Sequence, residues 1–206
     1  MLKEIIGCIL IGGKSTRMGG GIKSLKYFNN KSIIERIIEK SRKQVSELII
    51  NSNNNLDLKR YSLPVFSDFI KGYLGPLAGI HASMNWVKKN RPNKQWLVTF
   101  AGDTPFFPDN IVEELFNEAD KKNKKIILAK SNKRNHPVFG IWHISLEENL
   151  KQSIIKHNAR KIDEWAQKYS YGLVDFSNKK YDPFFNINEP NDLIIAEKME
   201  NQFFNR

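Results

Sequence analysis

Short apolar runs alternate along this chain with longer segments whose apolar residues recur every three or four positions. The run EIIGCILI (4–11) is apolar throughout and predicts a strand buried on both faces. In SIIERIIEKSRKQV (32–45), Ile33, Ile34, Ile37 and Ile38 share one face of a helix, and Ser32 stands three residues before Glu35 as in a capping box. Further strands are expected over 47–51, within 63–68, over 95–103, 125–130 and 137–143, and near 172–176. Helices are expected over 76–89, 108–122, 145–156 and 158–169, and a last one opens at NEPNDL (188–193) after the apolar FFNI (184–187). Pro76 suits a first helical turn and Lys88 and Lys89 a last one, while Asp109 after Pro108 is the expected cap of the 108–122 helix.

Strands that are apolar on both faces and alternate with helices predict a mostly parallel sheet with helices on either side. The expected fold is therefore α/β: a single three-layer αβα domain with a Rossmann-like sheet. In such folds ligands bind beyond the carboxyl ends of the strands. The polar residues that end strands carry the chemistry under this reading: Gly12 and Gly13, Asn51, Asp68, Asp103, and late in the chain Asn186 and Asn188.

Composition narrows the class. The 206 residues suit one domain, with 40% hydrophobic and 27% charged residues as in a soluble globular protein. The longest apolar run is strand-sized, so no membrane span is expected, and MLKEIIG lacks the longer apolar core of a secretory signal. The single cysteine, Cys8, has no internal disulfide partner and reads as a small buried hydrophobe, which leaves a cytoplasmic location as the expectation. The net charge of +11 is spread over the chain, with only short clusters at KKNKK (121–125) and SNKRN (131–135). That dispersal favours a solvated surface over a nucleic-acid-binding one.

The stretch LIGGKSTRMGGGIK (10–23) follows the first strand directly and holds five glycines with Lys14, Arg17 and Lys23. It is not a P-loop, because Cys8 stands where G-x-x-x-x-G-K-[ST] needs its first glycine. Nor is it G-x-G-x-x-G, because IKSL follows Gly19, Gly20 and Gly21 with no glycine in register. What remains is a long strand-to-helix connection over about 12–31. Backbone N–H groups at Gly12 and Gly13 can converge on phosphate oxygens, Arg17 offers a planar fork and Lys23 a point charge.

LIGGKSTRMGGGIKSL resembles the nucleotidyltransferase signature L-A-G-G-x-S-x-R-M-G-x-D-K. With LGPLAGI (74–80), GDTPF (102–106), HPV (136–138) and NINEP (186–190), the chain resembles the molybdenum cofactor guanylyltransferase family within that superfamily. The resemblance implies a nucleotide-diphospho-sugar-transferase-like fold over 1–206, with about 1–105 binding nucleotide and about 106–206 binding the acceptor. It implies Mg2+-dependent transfer of GMP from GTP to the terminal phosphate of molybdenum-bound molybdopterin. Leu10, Ile11 and Gly12 match the family's nucleotide-binding loop, Lys23 its phosphate-contacting lysine, Asn51 and Asp68 further GTP contacts, and Asp103 its magnesium ligand. Asn186 and Asn188 stand where the family places pterin-side contacts. The chain departs from the pattern at Ile11, usually alanine, and at Ile22, usually acidic.

The residues suit that chemistry. Nucleotidyl transfer needs a divalent cation with oxygen ligands and cationic groups over the phosphates. Asp103 at a strand end is the expected ligand, with helix capping as its other role. Asp68 or a backbone carbonyl near Leu10 could accept the paired N–H donors of guanine, and Asn51 suits the base, the ribose or a turn. The attacking phosphate is already anionic, so no strong general base is required. His136 is either an acceptor contact or structural, and His81, His143 and His157 lack metal-ligand spacing. A monomer is expected, with transient contacts to proteins that deliver or receive the cofactor. The rival readings are a sibling enzyme using CTP or a sugar-phosphate acceptor, and a non-catalytic binder of nucleotide or RNA.

Overall fold

Strand β1 (Ile5–Ile11) is buried along its whole length, and its side chains supply both apolar layers of the molecule. Ile5, Ile9 and Ile11 enter one layer, and Ile6, Cys8 and Leu10 the other. This alternation is the period of two inherent in a strand. Each fully buried isoleucine contributes about 1.5–3 kcal/mol relative to an exposed one. The structure is a computed structural model that describes residues 4–12, 22–54, 58–70, 72 and 74–204.

The first apolar layer packs α1 (Ile33–Arg42), α3 (Ile111–Lys122) and α6 (Pro190–Phe203) on the sheet. The second packs α2 (Pro76–Asn90), α4 (Glu147–Lys156) and α5 (Ile162–Ala166). Across that second layer, His81 of α2 and Glu147 of α4 form a buried pair at 3.0 Å. The expected three-layer arrangement is therefore the one found. Cys8 is buried beside Ser83, and burial pushes its thiol up to about 12. Among the described residues no helix is long and apolar enough to cross a membrane.

The sheet has seven strands in the order β5-β4-β1-β6-β8-β7-β9. These are β4 (Glu47–Ser52), β5 (Val65–Phe66), β6 (Trp96–Ala101), β7 (Ile126–Ser131), β8 (Arg134–His143) and β9 (Gly172–Asp175). β1 lies between β4 and β6 and is parallel to both, so the chain crosses to opposite sides of its first strand. This is the switch point where open α/β sheets bind ligands.

Several expectations are corrected in detail. The sheet is mostly parallel, but β8 runs antiparallel to both β6 and β7. β7 and β8 form a hairpin whose turn residues Asn132 and Lys133 have φ of 48° and 66°. That conformation fits the right-handed twist of the flanking strands. The apolar 184–187 stretch is irregular loop rather than strand. The expected 158–169 helix begins only at Ile162, because Asn158 is left-handed and Lys161 extended. Asp109 does not cap α3: Asn110 is the N-cap and Asp109 pairs with Lys40 at 3.3 Å. The connection after β1 also holds more structure than a loop, with a 3-10 turn over Lys23–Leu25 and a small hairpin of β2 (Tyr27–Phe28) and β3 (Lys31–Ser32).

The capping box of α1 is present in full. The Ser32 hydroxyl accepts the Glu35 N–H, and the Glu35 carboxylate accepts the Ser32 N–H at 2.7 Å. Ser32→Ala should therefore lower stability by about 1 kcal/mol, measured by urea unfolding with an unchanged slope.

Candidate active site

Gly102, one residue past β6, donates its N–H to the Leu10 carbonyl at 3.0 Å. A Cβ on residue 102 would lie 3.0 Å from that oxygen and 3.1 Å from the Ile11 side chain. The missing side chain thus lets the exits of β1 and β6 run against each other. A cavity of about 460 Å3 opens there, above the carboxyl ends of β4, β1 and β6. Its lining brings together the expected Leu10, Ile11, Gly12, Lys23, Asn51, Asp68 and Asp103. Gly13 and Arg17 lie outside the described residues.

One end of this cavity is a carboxylate held by amides. Asn51, near the end of β4 and almost fully buried, donates from Nδ2 to Asp68 Oδ1 at 3.0 Å. Asn53 makes a two-way contact: Nδ2 donates to Asp68 Oδ2 at 2.6 Å, and its Oδ1 accepts the Asp68 N–H at 2.9 Å. Asp68 is thereby fixed from both sides while keeping lone pairs for a ligand. Asn53 is a residue that the sequence reading missed. Its only signal was the N-S-N spacing after the strand, and asparagine so often makes turns that the signal has little weight.

The other end holds a cation and a second carboxylate. Lys23 Nζ lies 3.0 Å from Asp103 Oδ2 and 2.5 Å from Asn188 Oδ1. The lysine and aspartate side chains are 20% and 24% exposed, so both reach solvent from within the cleft. Asp103 Oδ1 also accepts the Thr104 hydroxyl at 3.3 Å, and the Asp103 carbonyl accepts the Ile187 N–H at 2.9 Å. Asn188 is set by the start of α6, where Asp192 Oδ2 accepts the Asn188 N–H at 2.7 Å. Thus a loop of the chain's last quarter reaches back to residues near its beginning. Asn188 stands between the two cavities and touches Lys23, a contact its sequence position did not reveal.

A second cavity of about 370 Å3 adjoins the first, sharing Ala101, Val138 and Asn186 as walls. His136 and Asn188 line it, as do Thr104, Arg134 and Asp182. The ring of His136 stacks on Phe184 at 4.2 Å between centroids. Burial pushes its pKa below the ordinary histidine value, with Asp182 opposing that shift and Arg134 adding to it. Lys23 and Asp103 line the first hollow and Asn188 the second, and the Lys23–Asn188 contact joins the two.

Residues 7–170 match the family of the MobA-like NTP transferase domain. The molybdenum cofactor guanylyltransferase of Nitrobacter hamburgensis is 35% identical over 194 residues, which span 94% of this chain and 93% of that protein. The molybdenum cofactor guanylyltransferase of Yersinia pestis is 36% identical over 96% of this chain and 97% of its own length. The crystal structure of molybdopterin-guanine dinucleotide biosynthesis protein A from Archaeoglobus fulgidus superposes with a TM-score of 0.75 at 25% identity, covering 96% of this chain and all of that one.

Gly79 of α2 faces the Asn51 amide so closely that a Cβ there would come within 2.7 Å of Asn51 Oδ1. In an ordinary helix interior Gly→Ala stabilises by about 1 kcal/mol. Here Gly79→Ala should instead destabilise by about 1–2 kcal/mol, because overpacking displaces the amide that holds Asp68. Urea unfolding of the two proteins measures the sign.

Proposed function

The chain belongs to the MobA-like NTP transferase family, and from that premise we propose that it transfers GMP from GTP to the terminal phosphate of molybdenum-bound molybdopterin. The products are the guanine dinucleotide form of the cofactor and pyrophosphate. The observation that carries this reading is a pair of adjoining cavities, with the Lys23–Asp103 pair of the first touching Asn188 of the second. A donor nucleotide in the first and a phosphorylated acceptor in the second would meet there. In this reading about 1–105 binds the nucleotide and about 106–206 the acceptor, with Ala101, Val138 and Asn186 lining both cavities.

The charges within the first cavity orient the nucleotide. Asp68 follows β5 and Asp103 follows β6, three strand positions apart in the sheet. At about 4.8 Å per strand spacing this is about 14 Å, on the scale of a nucleoside triphosphate. A carboxylate at the β5 side repels phosphates and can accept the paired N–H donors of guanine. Lys23 at the β6 side attracts phosphates. The base therefore lies toward Asp68 and Asn51, the ribose near Gly79, and the phosphates toward Gly12 and Lys23. Gly13 and Arg17 extend that phosphate cradle in the same reading.

The residues at the junction fit a magnesium ion. Among the described residues no three His, Cys, Asp or Glu side chains gather as a metal cage. Magnesium does not need one, since it keeps waters and takes one or two carboxylates beside substrate phosphates. Asp103, which reaches solvent from within the cleft, is the carboxylate that would hold it. When bound, the ion neutralises charge on the phosphates and polarises them. In the reaction an oxygen of the acceptor phosphate forms a bond to the α-phosphorus, and the bond from that phosphorus to the bridging oxygen of pyrophosphate breaks. The acceptor is already an anion, so the chain's task is to hold like charges in line. Lys23 leaves Asp103 for phosphate oxygens, and Asn188 keeps it aimed at the junction. Asn186, Asn188 and His136 border the acceptor.

Purified protein given molybdenum-loaded pterin, magnesium and either GTP or CTP should release pyrophosphate with GTP; preference for CTP would replace the guanylyl reading with the cytidylyl one. Asp103→Ala should cut kcat at least a hundredfold, on the order of losing one preorganised charged group, while the thermal unfolding midpoint stays close to wild type. Lys23→Met should cost a similar factor; turnover near wild type in both variants would remove the junction from the mechanism.

A further inference from the structure

The hydrogen bonds around His136 determine which of its two ring nitrogens carries the proton. Ser131 ends β7 and is 1% exposed. Its hydroxyl lies 2.8 Å from His136 Nε2 and 3.4 Å from Asp182 Oδ1. A hydroxyl has one proton, and an ionised carboxylate can only accept. The negative charge draws that proton toward Asp182, so the Ser131 oxygen is left to accept from His136 Nε2–H. A neutral imidazole carries a single N–H, and Nδ1 is then a bare acceptor.

The setting of this triad is rigid. Asp182 Oδ1 also accepts the Phe184 N–H at 3.0 Å, and Phe184 is the ring on which His136 stacks, 23° from parallel. The pairing of β7 with β8 shifts register between Leu128 and Ala129, and His136 lies opposite Ala129 directly after the shift. Such bulges redirect side chains beside functional sites. The ring lines the second cavity, and its hydrogen bond among the described residues is the one from Nε2 to Ser131, which leaves Nδ1 to a ligand.

We propose that Ser131 and Asp182 are positioning residues that lock His136 in its Nε2–H form, so that Nδ1 accepts a hydrogen bond from an N–H group on the heterocycle of the acceptor. This rests on the reading that the acceptor occupies the second cavity. The ligand chemistry it selects is a flat heteroaromatic edge with N–H donors, such as the aminopyrimidinone edge of a pterin. A sugar phosphate offers hydroxyls that can donate or accept and would not need a fixed tautomer.

Two measurements test this. Nitrogen-15 chemical shifts of the His136 ring in the full-length protein report the tautomer directly: wild type should show protonated Nε2 and unprotonated Nδ1, and Ser131→Ala and Asp182→Asn should show mixed forms. A wild-type ring with its proton on Nδ1 overturns the proposal. In turnover with molybdenum-loaded pterin, both variants should raise the acceptor KM about tenfold, on the order of one weakened hydrogen bond, and leave the KM for GTP within about twofold. An unchanged acceptor KM in both variants also overturns it. A wild-type protein that releases no pyrophosphate would instead count against the guanylyl reading, and the tautomer measurement would still decide the state of the ring.

Discussion

The contact between the Gly102 N–H and the Leu10 carbonyl is the constraint from which the site follows. Parallel neighbours in a sheet send their chains out at the same edge, and side chains at that edge ordinarily spread the exits apart. Glycine at 102 removes the side chain that would strike Leu10 and Ile11. The segment after β6 can then turn immediately, which places Asp103 beside the connection that leaves β1. That connection returns Lys23 to the same point at 3.0 Å. Without the close exit, these two residues, eighty positions apart, have no reason to meet.

The pairing of Lys23 with Asp103 also explains how the cleft tolerates its charges. An isolated ion in a part-buried cleft carries a desolvation cost, and each of these ions offsets that of the other. The pair remains open to solvent on one side, so its attraction is weakened by water rather than set at interior strength. A contact of that kind can be exchanged for phosphate oxygens. Asn188 contributes a neutral third member, its amide oxygen accepting from the Lys23 ammonium.

Much of the fold was legible because its signals are local. The all-apolar β1 run, the isoleucines of α1 with its Ser32–Glu35 box, and Pro76 opening α2 each follow from residues a few positions apart. The polar strand-end rule then identified Asn51, Asp68 and Asp103, which line one cavity in the structure. Two kinds of feature escaped. The direction of β8 depends on a two-residue turn at Asn132 and Lys133, whose left-handed backbone is unremarkable in a sequence rich in asparagine and lysine. The 184–187 stretch is as apolar as a strand, yet its buried Phe184 and Ile187 pack from an irregular loop, because burial does not require a ladder. Asn53 and Asp182 meet their partners across stretches of chain that no spacing rule spans, and Ser131 meets His136 only because β7 and β8 turn into a hairpin.

The net charge of +11 has little to do with the chemistry at the junction. Among the described residues lining the first cavity, Lys23 is the cation, set against the carboxylates of Asp68 and Asp103. A cleft meant only to gather anions would not place two carboxylates among its walls. The arrangement suits a ligand with a neutral, donor-bearing end and a multiply charged end, which is the proposed division of one carboxylate for recognition and the other for a hard cation. Physiological salt leaves a surface charge effective over only roughly 8 Å, so a lysine outside the cavity lining acts weakly within it. Such lysines can raise the rate at which an anionic substrate arrives, while under the proposed function its selection and the alignment of its phosphates fall to the few polar groups at the ends of β1, β4 and β6.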